Sequence, residues 1–185
     1  MARCYSATMR KRQTIAKRVP RRVLLSDARN DAGLERAIAR LGHGDALVFR
    51  HYHLDRAPRR TRFVTLARLA RRRGVMVIGA RVPRMWHVDG VYGGAREIMA
   101  GSGLRLATAH SLQEIAAAAR AMADAILLSP VYPTRSHPGG KVLGPVRFLM
   151  LARLSPLPVI ALGGMTRARA AHLPVHGWAA IDGLA

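Results

Sequence analysis

The stretch Ala125-Ile-Leu-Leu-Ser-Pro-Val-Tyr-Pro-Thr-Arg-Ser-His-Pro-Gly-Gly-Lys-Val-Leu-Gly144, followed by Val159-Ile-Ala-Leu-Gly-Gly-Met165, decides the fold. Each piece opens on a short apolar run that gives way to small and hydroxylated residues. Buried parallel strands end this way when the following loop is built to hold an anion. In the first loop Pro130, Pro133 and Pro138 stiffen a segment offering Thr134, Ser136, His137 and Lys141. Hydroxyls, backbone amides and a cation at that spacing can surround a phosphate or pyrophosphate. In the second, Gly163 and Gly164 let the backbone approach an anion where a helix begins.

Outward from these two ends the same alternation fills the chain from residue 23. The strand candidates are Val23–Ser26, Ala46–Arg50, Val75–Gly79, Gly90–Tyr92, Leu104–Thr108, Ala125–Ser129, Val159–Leu162 and Trp178–Ile181. Helical spacing covers Ala32–Leu41, Arg59–Arg73, Ala95–Ala100, Leu112–Met122, Pro145–Leu154 and Arg167–Leu173. Ser111 with Glu114 three residues on predicts a capping box before the fourth helix. Eight strands alternating with helices predict an α/β fold, a small (β/α)8 TIM-type barrel with right-handed crossovers. Only Ala80–Asp89 separates the third and fourth strands, which leaves room for an irregular turn or one helical turn. The sequence ends just after the eighth strand, so the barrel reads as C-terminally trimmed. The expected liability is an exposed seam between the last and first strands, covered by a homo-oligomeric partner or by the basic tail.

In such a barrel, functional side chains sit at the C-terminal ends of strands. Asp27, after the first strand, reads as a helix cap before it reads as a ligand-orienting acid. Arg50 ends the second strand, where a guanidinium can fork two oxygens of a phosphate. His51 and His53 flank Tyr52, but no acid or thiol adjoins them in the chain, which argues against zinc. His110 stands at the end of the fifth strand just before a helix, where an imidazole can give or take a proton.

Composition bounds the rest. The chain has 185 residues, half of them apolar, which suits one domain with a sizeable core. No apolar run is long enough to cross a membrane. A single cysteine, Cys4, leaves no intramolecular disulfide and fits a reducing cytoplasm. The net charge of +21 invites a nucleic-acid reading, but arginine outnumbers lysine 28 to 3, the pattern of a coding bias. Aromatics make up only 5% of the chain, too few for a stacking surface. Residues 1–22 hold eight Arg or Lys and no acid, and read as a disordered basic tail or an over-extended start. The other reading of that tail is an arm for nucleic acid or organelle import. Residues 23–185 form the barrel.

These residues resemble the thiamine-phosphate synthase and TenI family. Ser129-Pro-Val-Tyr-Pro-Thr-Arg-Ser-His137 with Leu143-Gly144, Pro158-Val-Ile-Ala-Leu-Gly-Gly-Met165 and Gly177-Trp-Ala-Ala-Ile-Asp182 are similar to its late strand ends. Val88-Asp-Gly-Val-Tyr-Gly-Gly94 and Thr108-Ala-His110-Ser111 are shorter echoes of earlier ones. The resemblance implies a barrel that joins a hydroxymethylpyrimidine pyrophosphate to a thiazole phosphate and releases pyrophosphate with Mg²⁺. It would put Arg50 on the pyrophosphate, Thr134 and Ser136 on pyrophosphate or thiazole, and Gly163, Gly164 and the backbone near Ile181 and Asp182 on the thiazole phosphate. Where the family carries a lysine beside the hydroxyl pair this chain has His137, with Lys141 four residues on. The third strand, which in the synthases ends in a magnesium-binding Asn-Asp, ends here in Gly79-Ala80 with Arg81 next. The second magnesium acid falls on Glu97 in an ungapped register and on Arg96 if one residue is deleted. Losing an acid weakens a Mg²⁺ site, which rests on one or two carboxylates. Two alternatives follow: a metal-free thiazole tautomerase with His110 as proton shuttle, or a barrel that binds phosphorylated ligands without turnover.

Overall fold

A computed structural model describes residues 18–135 and 139–184. Eight parallel strands run in chain order around a closed barrel. They are β1 (Arg22–Leu25), β2 (Ala46–Phe49), β3 (Met76–Gly79), β4 (Gly90–Gly93), β5 (Leu104–Ala109), β6 (Ala125–Leu128), β7 (Val159–Ala161) and β8 (Gly177–Ala180). Six helices cover the described barrel: α1 (Leu34–Ala39), α2 (Arg56–Arg72), α3 (Ala95–Met99), α4 (Leu112–Arg120), α5 (Gly144–Arg153) and α6 (Arg167–Ala171). A 3-10 turn, Ala28–Gly33, leads into α1. No helix joins β3 to β4, and none follows β8 among the described residues.

The barrel closes as expected, but its seam is paired where an exposed one was expected. β8 pairs with β1 in parallel register, with Arg22 opposite Trp178, Val23 opposite Ala179 and Leu24 opposite Ala180. The seam is therefore hydrogen-bonded within the chain and needs no partner to pair its edges. Arg22 belongs to β1, so the barrel starts one residue before the expected boundary of the tail.

The strands alternate as a period of two requires. Val23, Leu25, Val48, Ile78, Leu106, Leu127 and Ile160 fill the barrel interior, while Leu24, Leu47, Phe49 and Val77 face α1 and α2. Ile126, Leu128, Val159 and Ala161 pack outward with Phe148 of α5 and Ile115 of α4. Both faces of β1, β2, β3, β6 and β7 are thus packed, which is why these strands read as apolar runs. Among the described residues no helix is long and apolar enough to cross a membrane.

Local chemistry explains one shifted helix start and one altered cap. α2 begins at Arg56, three residues before the expected Arg59, because Pro58 falls in the first turn. A first-turn residue needs no N–H donor, so proline is tolerated there. At α4, Ser111 Oγ accepts from the Glu114 amide at 3.3 Å, as a capping residue should. Glu114 reaches past Ser111, however, and its Oε2 accepts from the His110 amide at 2.7 Å. The expected box is displaced by one residue and clamps the backbone of His110.

At the N-terminal rim, buried Asp45 accepts from Arg22 Nε at 3.0 Å, from Arg22 Nη2 at 2.5 Å and from the Gly42 amide at 2.8 Å. Asp45→Ala strips three donors of their acceptor and is expected to cost about 1–3 kcal/mol in urea unfolding. Asp45→Asn keeps one acceptor oxygen and should lose less; equal losses would show that the hydrogen bonds contribute nothing.

Candidate functional site

The C-terminal ends of the strands open onto a cavity of about 930 Å³. Arg50, His110, Thr134, Lys141, Gly163, Gly164, Ile181 and Asp182 all line it. Residues separated by as many as 132 positions are thus brought to one cavity by the barrel alone. Ser136 and His137 lie outside the described residues. Glu97 does not line the cavity. Four cations (Arg50, Arg135, Lys141 and Arg169) face it against one carboxylate, Asp182, which itself lies 3.8 Å from Arg29. This balance suits an anionic ligand.

His110 hangs from the end of β5 with its ring fixed. Nδ1 lies 2.8 Å from the Ser129 carbonyl oxygen and 3.3 Å from Ser129 Oγ. A carbonyl only accepts, so Nδ1 carries the proton and donates it there. In the neutral ring Nε2 is then left with its lone pair, the arrangement of a proton acceptor.

Arg50 is held from three sides. Its amide donates to Ser26 Oγ at 2.8 Å, its Nε to the Ser26 carbonyl at 3.0 Å and its Nη2 to Asp27 Oδ2 at 2.6 Å. Asp27 also caps the 3-10 turn by accepting from the Arg29 amide, so the capping role and the arginine-orienting role coexist. Burial pushes the Asp27 carboxyl up, but hydrogen bonds from Arg29 and the charges of Arg50 and Arg29 outweigh it and hold it below the usual range.

Beneath Arg50 lies a group that has no sequence signature. His51 is buried, stacked on Phe49 at 4.7 Å, with Nδ1 2.8 Å from Ser26 Oγ and Nε2 2.8 Å from Asp31 Oδ1. The acid that pairs with His51 is thus supplied in space by Asp31, 20 residues away. Serine, histidine and aspartate in a row look like a nucleophilic triad, but Ser26 is fully buried and does not line the cavity. Its hydroxyl accepts from the Arg50 amide, so the row acts as a strut for Arg50. Burial pushes His51 down against the pull of Asp31. The neutral ring donates from Nε2 to Asp31 and accepts the Ser26 hydroxyl proton at Nδ1.

This burial gives a pH dependence with a definite sign. The unfolded chain protonates His51 near its ordinary value of about 6.5 while the folded chain does not, so stability rises with pH through that region. Asp27, Asp31, Glu35 and Glu97 are all held below their ordinary values, so their contribution is present above about pH 4 and lost below it. The melting temperature should level off above about pH 7, fall between pH 7 and 5, then fall faster below pH 4. His51→Gln should flatten the upper step in a melting series. An unchanged upper step would show that His51 is not its source.

On the opposite wall, the β6 and β7 loops are laced together. The Val131 amide donates to the Leu162 carbonyl at 2.9 Å and the Tyr132 amide to the Gly163 carbonyl at 3.1 Å. Arg169, which sequence reading passed over among so many arginines, donates from Nη1 to the Gly164 carbonyl and lies over the Tyr132 ring at 4.5 Å.

The two positions that the resemblance assigns to magnesium ligands do not fit that ion. Ala80 has no carboxylate, and its carbonyl accepts from Arg59 Nη2 at 2.8 Å. Glu97 caps α3 by accepting from the Gly94 amide at 2.7 Å, and its other oxygen meets Arg81 Nε at 2.6 Å. Glu97 as it stands is an arginine-paired capping residue. No group of three or more His, Cys, Asp or Glu that could hold a metal occurs among the described residues. Mg²⁺ asks for octahedral oxygen donors, and here cations already occupy the oxygens on offer.

A family model described as thiamine monophosphate synthase (TMP-TENI) matches residues 23–184. Among solved structures the chain is similar to thiamine phosphate pyrophosphorylase from Pyrococcus furiosus, at 22% identity over 88% of this chain and 85% of that one, with a TM-score of 0.66. FabK from Thermotoga maritima matches at 17% identity over 89% of this chain and 61% of that one, with a TM-score of 0.60. A structure described as native KDPGal matches at 13% identity over 85% and 80% of the two chains, with a TM-score of 0.59. These likenesses carry the fold. No curated protein matches.

Proposed function

The chain belongs to the thiamine monophosphate synthase family, and on that premise we propose that its cavity takes a phosphorylated thiazole on which His110 moves a proton. The single observation behind this reading is the tether from His110 Nδ1 to the Ser129 carbonyl, which leaves Nε2 as acceptor at the cavity. A tautomerisation needs one proton removed at one atom of the ligand and returned at another. One imidazole can do both in turn, with no net change of charge and no metal. The ligand's phosphate would rest against Gly163 and Gly164, with Arg169 and Lys141 neutralising it and Thr134 orienting the ring. Ile181 and Asp182 close the far side; the Ile181 carbonyl is already taken by Asn30 Nδ2 at 2.9 Å.

The test is conversion of the thiazole phosphate tautomer by the purified protein in EDTA, with melting temperature followed alongside. Conversion that survives EDTA, with a ligand-induced rise in melting temperature, is the expected result. No conversion and no thermal shift would sink the reading; a shift without conversion would leave a binding barrel only.

A second reading is the coupling of a pyrimidine pyrophosphate to the thiazole phosphate. One observation favours it: Arg50 and Lys141 share the cavity with His110 and the glycine pair, and about 930 Å³ is room for two ligands. Formation of thiamine phosphate from the two precursors, compared with and without Mg²⁺, separates the two readings.

A further inference from the structure

The outer side of α2 belongs to no part of the proton-transfer reading, and none of its arginines lines the cavity. An even spread of the chain's 31 Arg and Lys over 185 residues would leave about three in a helix of 17. α2 has seven, all of them arginine, and no acid. A coding bias explains why the cation is arginine and not lysine. It acts along the whole chain, however, and does not gather charge on one helix.

Burial divides the seven. Phe63, Leu66, Ala67 and Ala70 face the core. Arg59 turns to strand-end carbonyls, and Arg62 takes both Asp31 and Glu35. Arg56, Arg60, Arg68, Arg71 and Arg72 stand exposed, with Thr61, Val64 and Thr65 among them. Asp55 is exposed just before the helix, but none of the five forms an ion pair among the described residues. α1 packs against α2 and extends the surface with exposed Arg36 and Arg40.

The arrangement is unfavourable in the free protein on two counts. Arg56 with Arg60, and Arg68 with Arg72, are like charges four residues apart on a helix, and they repel. Arg56 also opens the helix, and no acid in the first turn offsets the positive end of the dipole. A polyanion removes both. A second copy of the chain, at a net charge of +21, has the wrong sign. A helix of this length spans about 25 Å, over which a duplex presents roughly 15 phosphate charges. Single strands are gripped by stacking on aromatic rings, and the exposed side of α2 carries none.

We propose that the outer face of α2, with Arg36 and Arg40 of α1, docks the sugar–phosphate backbone of a nucleic-acid duplex. Its guanidinium groups fork phosphate oxygens, so the surface holds the duplex without reading its sequence. It lies outside the barrel and does not depend on the proton-transfer reading.

Fluorescence anisotropy of a labelled DNA duplex of about 20 base pairs, titrated with the full chain between about 50 and 200 mM salt, tests this. Binding is expected to fall steeply with salt and to be equal for two unrelated sequences. Arg56→Gln, Arg68→Gln and Arg72→Gln together should weaken it about tenfold or more and make the log–log salt slope shallower by about 2–3. The same charge removed across the barrel, by Arg120→Gln, Arg147→Gln and Arg153→Gln on α4 and α5, should change the slope by less than about 1. Because like-charge pairs are relieved, the α2 variant should melt no lower than the parent protein. It should also keep the thermal shift by thiazole phosphate, so failure here is separate from failure of the proton-transfer reading. No binding, or equal losses in the two triple variants, overturns the proposal. Competition by anionic phospholipid vesicles as strong as that of unlabelled duplex, phosphate for phosphate, would reassign the face to a membrane surface and overturn it as well.

Discussion

His110→Ala is expected to lower isomerisation of the thiazole phosphate by about 10²–10⁴-fold, the usual contribution of a positioned acid–base group. The thermal shift caused by the ligand should stay, because the proposed phosphate contacts lie in the loops after β6 and β7 and on α6. Two structural details sharpen this expectation. Glu114 clamps the His110 amide, and the Ser129 carbonyl fixes its ring, so removing the side chain disturbs neither strand nor helix cap. Since His110 is exposed, truncation also leaves no buried void. His110→Gln is the informative companion: its amide can still donate to Ser129, yet it offers no basic nitrogen, and it should be as inactive as the alanine variant. Turnover that persists in both would assign the proton to another group, and loss of binding in both would mean that the imidazole orients the ligand.

How far the sequence carries this picture depends on the range of the interactions. Strand ends were legible because a buried parallel strand must be apolar throughout and must stop where polar loop chemistry starts, as at Leu128 and Ala161. The shortness of the connection from Gly79 to Gly90 was legible, but its length left an irregular turn and a single helical turn both open, and the structure has no helix there. What could not be read were contacts made only when the barrel closes. Nothing in the chain announces that Arg22 will face Trp178, or that Asp31 and Ser26 will sandwich His51. Arginine abundance hid the rest. Arg59, Arg81 and Arg169 resemble their solvated neighbours in sequence, and only their hydrogen bonds to carbonyls and to Glu97 single them out.

The clustering of those bonds has a common physical origin. Strand C-termini leave carbonyls pointing into the mouth of a parallel barrel, and buried polar groups must be paired. Arg59 answers three of them on one side, and Asn30 answers those of Leu25 and Ile181 on another. Side chains used this way are committed to the backbone around the mouth.

Gly163→Ala should be strongly damaging at that mouth. The residue has φ of 97°, outside the region any L-residue favours, and an added Cβ would stand 2.6 Å from the Cα of Pro130. Backbone strain and overpacking each cost about 1–3 kcal/mol, so urea unfolding should show a loss of about 2–5 kcal/mol. The backbone of Pro130 cannot step aside cheaply, because its neighbours Val131 and Tyr132 are bonded to Leu162 and Gly163 themselves. Any relief therefore moves the β6 loop off the β7 loop and widens the phosphate side of the cavity. Ligand-induced stabilisation should vanish along with intrinsic stability. Gly42→Ala is the control: no atom lies within 4 Å of its added Cβ, and its effect should stay within about 0.5 kcal/mol. A Gly163→Ala protein that unfolds like the control and still gains stability from thiazole phosphate would mean that the two loops are not held against each other as the hydrogen bonds require.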